Sequence, residues 1–261
     1  MSVAGDVGSI PPGGGTPPLV GKVALVIGGT RGIGAAVSRR LAAAGAAVAM
    51  IYRDRNAEAD AVADELRAHG STVLTLRADA SDTASLIAAI DRTCAELGGL
   101  DILVTVAGLT ITAPFDGYAD DAFDRLFAIN VGAPFVAATR AASRTPAGGR
   151  IVTIGSIVAD RAPGATVALY AASKAALGGL TRGLARDFGA ADITVNLVQP
   201  GPIDTEGNPA DGPHAAANRA PLAIKRHGTA DEVAALVAFL VSADAGFITG
   251  ATYNIDGGWS A

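Results

Sequence analysis

The most constraining feature of the chain is a glycine-rich turn between an apolar run and a helical pattern. The apolar run Val23-Ala24-Leu25-Val26-Ile27 leads into Gly28-Gly29-Thr30-Arg31-Gly32-Ile33-Gly34, and a helical pattern continues to Ala44. Glycines permit a tight turn and a close approach of phosphate to the backbone, while a helix N-terminus attracts anions. Strand, glycine turn and helix in this order favour a dinucleotide-binding site, although a lone turn would fit an ordinary tight loop equally well.

Short β-rich runs alternate with helical patterns along the rest of the chain. This alternation predicts an α/β fold with one Rossmann-type, doubly wound parallel sheet of about seven strands and helices on both faces. Ligands are then expected at the carboxyl ends of the strands. The predicted strands are 22–28, 47–52, 72–77, 101–106, 149–155, 192–198 and 251–255, and the predicted helices are 32–44, 56–69, 82–97, 119–143, 169–188 and 229–242.

A tyrosine and a lysine share one face of the predicted helix 169–188. Tyr170 and Lys174 stand four positions apart, which brings their side chains together on a helix. A free phenol has a pKa of about 10, and a nearby ammonium group favours the phenolate and lowers that pKa. Such a phenol exchanges a proton with an alcohol oxygen. Alone, the pair would also fit a solvated lysine beside a half-buried tyrosine.

With these motifs the chain resembles the short-chain dehydrogenase/reductase family, and within it the 3-oxoacyl-[acyl-carrier-protein] reductase-like ketoreductases, from about Leu19 onward. The family's catalytic residues match Asn130, Ser156, Tyr170 and Lys174. The resemblance implies that Tyr170 is the acid or base, that Lys174 holds the nicotinamide ribose, and that Ser156 binds the substrate oxygen. Asn130 would hold a water that links the lysine to solvent. Taken alone, Asn130 could equally be a satisfied polar side chain at a helix irregularity, and Ser156 could equally be a turn residue after a strand.

The resemblance also implies a set of contacts with a nicotinamide dinucleotide. They lie in the glycine turn, after the second and third strands, in the family's N-N-A-G motif, in the Tyr–Lys pair and in the turn after the sixth strand. The implied residues are Gly28, Thr30, Arg31, Gly32, Ile33, Gly34, Tyr52, Arg53, Asp79, Ala80, Val106, Ala107, Gly108, Tyr170, Lys174, Pro200, Gly201, Ile203 and Thr205. Asp79 would bind the adenine, or it serves as an N-cap or turn residue before the helix at 82.

The residues after the second strand bear on the choice between NADP(H) and NAD(H). An acidic residue there would bind the ribose hydroxyls of NAD(H) and repel a 2′-phosphate. Tyr52 takes that place, Arg53 follows it, and Arg31 adds a second guanidinium. Two arginines without a carboxylate suit a phosphate dianion, provided that Asp54 faces solvent. We therefore expect NADP(H) rather than NAD(H).

Two apolar residues depart from the family pattern. Ile27 replaces the threonine of the glycine motif, and Val106 replaces the second asparagine of N-N-A-G. Our hypothesis is that an apolar contact between the two side chains replaces a polar brace.

Composition excludes several classes of function. A net charge of −5 and a pI near 5.1 argue against a nucleic-acid partner. No apolar stretch is long enough to span a membrane, no secretory signal is apparent, and a single cysteine cannot form an internal disulfide. These features favour a cytoplasmic protein. The histidines His69, His214 and His227 lack metal-ligand spacing, so we predict no metal site and interpret them as surface or loop residues.

The domain organisation follows from the same pass along the chain. Residues 1–18 are rich in Gly and Pro and read as a disordered leader, and 19–261 read as one dinucleotide-binding domain. The segment 202–222 has four prolines and little periodicity, so we interpret it as a substrate loop that acts as a lid; plain surface disorder is the alternative. The resemblance implies a homotetramer.

Three functions remain open. The first is NADP(H)-dependent reduction of a small ketone to a secondary alcohol, or the reverse. The second is a 3-oxoacyl-carrier-protein reductase of fatty-acid or polyketide synthesis. An acidic carrier protein should dock on basic residues, but Arg144 is the one basic residue in the expected docking turns, 143–148 and 188–192, which argues against this function. The third is a non-catalytic NADP-binding regulator, which would not need a tuned tyrosine. The natural substrate, the stereochemistry and the preferred direction do not follow from the sequence.

Overall fold

The chain folds around a seven-stranded parallel sheet, seen in a computed structural model that describes residues 18–261. The strand order is β3-β2-β1-β4-β5-β6-β9. The strands are β1 Val23–Ile27, β2 Ala47–Tyr52, β3 Val73–Arg77, β4 Ile102–Thr105, β5 Arg150–Ile154, β6 Thr194–Pro200 and β9 Thr252–Ile255. The predicted fold class is confirmed. Apart from Pro18, the predicted leader lies outside the described residues.

Helices cover both faces of the sheet. α1, α2 and α8 pack on one face, and α3, α5 and α6 pack on the other. The helices are α1 Gly32–Ala43, α2 Asn56–Ala68, α3 Thr83–Leu97, α4 Ala122–Phe127, α5 Ala133–Ala142, α6 Ala168–Phe188, α7 Ala215–Arg219 and α8 Ala230–Leu240. The central strand β1 is apolar throughout and its neighbour β4 is apolar except for Thr105, as is typical of a parallel sheet covered on both sides. Each face thereby buries a hydrophobic layer of its own.

The strand order reverses at the centre of the sheet. From β1 the chain moves outward to β2 and β3, and it then returns to add β4 on the other side of β1. The crossovers on the two sides therefore diverge and leave a crevice at the carboxyl ends of β1 and β4. Such a switch point is where open α/β sheets bind their ligands.

The predicted helix 119–143 is interrupted in the structure. A π-helical turn at Ala128–Gly132 separates α4 from α5. Asn130 lies in this turn, and its amide bonds to the backbone of Leu109 rather than pointing to solvent. π-helical turns often mark functional sites, and this one directs a polar side chain inward.

The segment 202–222 is folded, and its ends are fixed. It begins with β7, Ile203–Asp204, which pairs with β8, Gly228–Thr229, and it contains α7. The Asn208 amide donates to the Ile203 carbonyl at 3.1 Å and accepts from the Asn218 amide at 2.8 Å. Plain surface disorder is therefore the wrong interpretation of this segment.

His227 is a loop residue, as predicted, but it does not lie at the surface. It is only 5% exposed, and neither ring nitrogen has a hydrogen-bond partner among the described residues. The cause is the short pairing of β7 with β8, in which Gly228 N donates to the Pro202 carbonyl and draws the chain inward.

Among residues 18–261, none of the helices combines the length and the apolar character that crossing a membrane would take. Within the same range, no three metal-ligating side chains from His, Cys, Asp or Glu come together.

Candidate active site

A cavity of about 350 Å³ opens at the carboxyl edge of the sheet, at the predicted switch point. It brings together ten of the residues predicted from the sequence. They are Ile33, Val106, Gly108, Ser156, Tyr170, Lys174, Pro200, Gly201, Ile203 and Thr205. The sequence analysis missed five others that line it: Leu109, Thr110, Ile154, Gly155 and Asn208. Each of these follows or ends a strand or begins the substrate loop, which is the signal that could have identified them.

The glycine turn forms a cradle that side chains would fill. Gly28 has a φ of +82°, and a Cβ there would meet the Ala107 nitrogen at 2.8 Å. A Cβ on Gly34 would overlap the Gly28 carbonyl, so only glycine lets α1 start this close to β1. At Gly32, with a φ of +46°, a Cβ would meet Thr205 at 3.3 Å. The backbone N–H groups at the start of α1 are thus accessible to an anion.

Ser156 directly follows Gly155 at the end of β5. Its hydroxyl accepts a hydrogen bond from Val158 N at 3.3 Å and caps a short 3₁₀ turn. The turn interpretation is therefore confirmed, and Ser156 also lines the cavity together with Tyr170, while its catalytic role stays a prediction.

Tyr170 and Lys174 lie on the cavity side of α6. The Lys174 Nζ is 5.9 Å from the centre of the Tyr170 ring and donates to the Ile154 carbonyl at 3.4 Å. Gly108 lacks the Cβ that would approach Nζ to 3.3 Å. The shared helix face predicted from the four-residue spacing is confirmed, and burial of both side chains sets their acidity.

Burial acts on the two groups in opposite directions. It raises the pKa of Tyr170, while hydrogen bonding by the hydroxyls of Ser156 and Thr110 opposes that rise. Burial also lowers the pKa of Lys174 to about 8. The four-residue spacing predicted that the lysine lowers the pKa of the phenol, and this prediction is wrong because burial raises that pKa. Desolvation of the ring dominates, and the ammonium is turned toward the Ile154 carbonyl.

Asn130 is buried behind the cavity and has both amide hydrogens engaged. Its Nδ2 donates to the Leu109 carbonyl and to the Ser173 hydroxyl, each at 2.9 Å. Its Oδ1 accepts from Leu109 N at 2.8 Å, and Ser173 in turn donates to the Tyr170 carbonyl. The side chain is therefore satisfied and joins the loop after β4 to the Tyr170 helix. One lone pair of Oδ1 is left for a water.

Arg53 and Arg55 follow the end of β2, and Arg31 belongs to the glycine turn. Arg53 donates to Asp54 at 2.7 Å, so Asp54 faces solvent as expected but still pairs with the arginine. Arg31 and Arg55 both approach a single carboxylate oxygen of Glu206, at 3.7 and 3.8 Å. The sequence analysis missed Arg55, although it stands only two residues after Arg53. No carboxylate takes the place of Tyr52 at the end of the strand.

Asp79 acts as a turn residue in the structure. Its carboxylate accepts from the Ser81 hydroxyl at 2.7 Å and from Ser81 N at 2.9 Å, and the Ser81 hydroxyl bond lowers its pKa. The N-cap of α3 is instead Asp82, which accepts from Ala84 N. A role of Asp79 and the neighbouring Ala80 toward adenine stays a prediction.

The proposed contact between Ile27 and Val106 is wrong. Ile27 packs in the hydrophobic layer of one face of the sheet, and Val106 packs against the layer of the other face. The reason is the alternation of side chains along β4, which places Thr105 rather than Val106 opposite Ile27. The two strand ends are joined instead through the backbone, since Val106 N and Ala107 N both donate to the Ile27 carbonyl at 2.9 Å.

The switch-point cradle and the Ser–Tyr–Lys cavity define a dinucleotide-binding oxidoreductase. The family model described as Enoyl-(Acyl carrier protein) reductase matches residues 27–260. The Cyclic-di-GMP-binding biofilm dispersal mediator protein of Escherichia coli is 46% identical over 243 residues, covering 93% of this chain and 99% of the relative. The 3-oxoacyl-[acyl-carrier-protein] reductase FabG of the same organism is 38% identical over 241 residues, or 91% and 97% of the two chains.

A solved short chain dehydrogenase from Burkholderia cenocepacia, in complex with NADP, superimposes with a TM-score of 0.92. It is 49% identical and covers 94% of this chain and all of its own. The chain belongs to the short-chain dehydrogenase/reductase family of NAD(P)-dependent oxidoreductases. The expectation of an NADP(H) rather than an NAD(H) site agrees with this relative.

The residues fit a phosphorylated nicotinamide dinucleotide on two observations. The backbone leaves no room for a Cβ at Gly28 and Gly34, and no side chain caps the N-terminus of α1. Tyr52 takes the place of an acidic residue at the end of β2, and Arg31 and Arg55 lie close enough together to share the exposed carboxylate of Glu206. Arg31, Arg53 and Arg55 would hold the 2′-phosphate, and Lys174 would hold the nicotinamide ribose.

Proposed function

We propose that the protein is an NADP(H)-dependent reductase that converts a ketone into a secondary alcohol, or catalyses the reverse reaction. The observation that carries the proposal is the cavity at the switch point. There Ser156, Tyr170 and Lys174 meet residues of the glycine turn and of the loop after β6. A phenol in such a place is suited to exchange a proton with a substrate oxygen.

The residues divide the reaction between them. When bound, the nicotinamide supplies or accepts the hydride. The Ser156 hydroxyl holds the ketone oxygen, and the Tyr170 hydroxyl gives that oxygen its proton as negative charge develops there. The ammonium group of Lys174 stabilises the phenolate that results. The phenolate then regains a proton from solvent, and Asn130 keeps the loop after β4 against the tyrosine helix throughout.

Burial raises the pKa of Tyr170 and thus keeps it a proton donor in the ligand-free protein. This state suits reduction, in which the phenol must start protonated. In oxidation the phenol must first lose its proton, so that direction needs the positive charge of the oxidised cofactor and of Lys174. We therefore expect the reductive direction to dominate at neutral pH.

The segment 203–222 is proposed to cover the substrate. Ile203, Thr205 and Asn208 from its first part line the cavity, and Leu222 at its end is buried against Ile157 and Trp259. Residues at the strand ends therefore line one side of the cavity, and residues of the substrate loop line the other. A lid over this site would exclude water from the hydride transfer.

The test is turnover of NADPH and NADH, followed by the absorbance of the reduced nicotinamide, with a panel of ketones that includes a 3-oxoacyl thioester. Tyr170→Phe removes the proton donor, and Tyr253→Phe, on the edge strand β9 outside the cavity, is the matched control. Ketone-dependent oxidation of NADPH that persists in Y253F and disappears in Y170F supports the proposal. Equal activity of Y170F and wild type would refute the role of the tyrosine.

A carrier-protein substrate is the second candidate, because the chain is 38% identical to a 3-oxoacyl-[acyl-carrier-protein] reductase. The expected docking residue, Arg144, pairs with Asp91 at 3.3 Å, which reduces the positive charge it offers an acidic carrier. We therefore favour a free ketone. Faster turnover of a carrier-linked than of a free 3-oxoacyl substrate would reverse this order.

A regulator that binds a dinucleotide is the third candidate, because one relative at 46% identity is named for cyclic-di-GMP binding. The buried Tyr170 and Lys174 argue against a purely binding role, since a buried ammonium is costly and has no use in a passive regulator. Calorimetric titration with cyclic-di-GMP and with NADPH separates the two. Binding of cyclic-di-GMP without any turnover of NADPH would favour the regulator.

A cytoplasmic homotetramer remains our proposal for the assembly. Phe123 and Phe135 on α4 and α5 are 54% and 48% exposed, and α6 presents the small residues Ala172, Ala175 and Gly179 at its surface. Large apolar side chains beside small ones allow close packing against a second copy. Light scattering coupled to size-exclusion chromatography measures the mass directly.

A further inference from the structure

The first residues of the substrate loop lie across the cofactor cradle. Thr205 faces Gly32, where a Cβ would come within 3.3 Å of its methyl carbon. The next residue, Glu206, extends to the opposite side and places Oε2 3.7 Å from Arg31 and 3.8 Å from Arg55. One loop residue therefore bridges two arginines that belong to different elements of the dinucleotide site.

These arginines are the ones that a phosphate would need. Arg53, the third in the cluster, is already held by Asp54 at 2.7 Å, and Arg55 has a further bond to Glu58 at 3.1 Å. Arg31 has no partner in the described part of the chain other than Glu206. A carboxylate between Arg31 and Arg55 thus occupies the position in which a phosphate dianion would gain most.

The bridge is weak and can be exchanged. Its distances exceed those of hydrogen bonds, and the three side chains are between 50% and 64% exposed. Exposed ion pairs of this kind contribute little individually and are screened by salt. A dianion with better geometry would displace the glutamate, whereas a ligand without a phosphate at this point would leave it in place.

We propose that Glu206 is a specificity residue whose carboxylate competes with the 2′-phosphate of NADP(H) for Arg31 and Arg55. This inference rests on the proposed NADP(H) cofactor. In the ligand-free protein the bridge holds the start of the substrate loop against the arginines, and the 2′-phosphate releases it. NADH lacks that phosphate, so its binding does not require Glu206 to be displaced from the arginines. The glutamate therefore reduces the difference in affinity between NADPH and NADH. It also makes the position of the loop depend on which of the two cofactors is bound.

The test compares Glu206→Gln with wild type by calorimetric titration. The probes are NADPH, NADH, adenosine 2′,5′-bisphosphate and adenosine 5′-monophosphate, the last two because they lack the nicotinamide. Asp211→Asn is the matched control, since it removes one exposed carboxylate from the same loop and Asp211 makes no ion pair within residues 18–261. With two weak ion pairs removed and one repulsion relieved, E206Q should bind NADPH and the bisphosphate about three- to tenfold more tightly.

The same variant should change the affinity for NADH and the monophosphate less than about twofold, and D211N should change all four less than about twofold. Hydrogen exchange of the ligand-free protein gives a second readout. Amides near 205–208 should exchange faster in E206Q than in wild type, because the bridge is lost.

Equal gains for NADPH and NADH would overturn the competition, as would a D211N effect as large as that of E206Q. If wild type binds NADPH and E206Q shows no selective gain, this inference fails and the proposed cofactor stands. If wild type binds neither NADPH nor the bisphosphate, the proposed cofactor fails, and the competition fails with it.

Discussion

The catalytic cavity and the arginine cluster lie at the same edge of the sheet, yet they hold their polar groups in opposite ways. Asn130 and Lys174 are almost completely buried, and each makes hydrogen bonds to the backbone. Arg31, Arg55 and Glu206 are exposed and meet through long ion pairs. Buried polar groups are costly to leave unpaired, whereas exposed charges exchange partners at little cost.

This difference matches the two tasks of the site, which are proton transfer in the cavity and the choice of cofactor at the arginine cluster. The cavity must keep a phenol and an ammonium in fixed positions without water, so its residues are fixed by the strand ends and by α6. The cluster must accept and release a cofactor, so its residues need only small differences in free energy. Substitutions in the cavity should therefore have large effects on kcat or stability, and substitutions in the arginine cluster should have small effects on cofactor affinity.

A large and still measurable loss of kcat is expected from Ser156→Ala. The serine hydroxyl lines the cavity next to Tyr170, and loss of one donor to a developing oxyanion lowers kcat by about 10²- to 10³-fold. The KM for NADPH should stay nearly constant, because Ser156 follows β5 and lies away from the arginines. Steady-state kinetics measures both values, and a loss confined to KM would contradict the assignment.

Asn130→Ala should give the largest loss of stability. It removes three hydrogen bonds, one of them buried, and leaves the partly buried N–H and carbonyl of Leu109 without their side-chain partner, at a cost of about 3 kcal/mol. Asn218→Ala, which removes one bond in the substrate loop, should cost under about 1 kcal/mol. Urea denaturation compares the two, and equal losses would mean that burial does not set the difference.

Lys174→Met should abolish activity and stabilise the protein. Burial lowers the pKa of the lysine to about 8, so keeping it charged at pH 7 costs stability of about 3 kcal/mol that methionine avoids. Between about pH 8 and the unfolded pKa of about 10.4, the unfolded chain binds more protons than the folded one, so wild-type stability gains on the variant as the pH rises. Thermal unfolding from neutral to alkaline pH checks this. A stability advantage of K174M over wild type that stays constant as the pH rises would contradict it.

Thr105→Val should add about 1 kcal/mol of stability. The Thr105 hydroxyl is buried without a partner and stands opposite Ile27 in the neighbouring strand. Thr153→Val, at the paired position of β5, is the control and should bring no such gain. A difference in denaturant midpoint between the two variants measures the effect of the unpaired hydroxyl.

The smallest effect on stability is expected from Arg55→Ala, which should shift unfolding by less than about 0.5 kcal/mol. The same variant should weaken NADPH binding about fivefold and leave NADH binding nearly unchanged, because only the 2′-phosphate needs this guanidinium. Calorimetric titration of both cofactors tests the selectivity. A large loss of stability would show that the exposed cluster is structural.

The sequence alone predicted the seven strands of the main sheet, although not the short β7 and β8, and it predicted the shared helix face of Tyr170 and Lys174. The strands are apolar runs bounded by glycine and polar turns, and residues four apart on a helix must lie together. The glycine turn was likewise predictable because its positions tolerate no side chain. These features depend on short stretches of chain, so local pattern suffices to define them.

Only the tertiary structure decided which residues meet across elements. Strand alternation placed Thr105 rather than Val106 opposite Ile27, and the pairing of β7 with β8 buried His227. The depth of the cavity made desolvation, rather than the lysine, the main influence on the pKa of Tyr170. Glu206 reached Arg31 and Arg55 because the substrate loop crosses the glycine turn. Such contacts join residues far apart in the chain, and burial and distance between them are properties of the assembled fold.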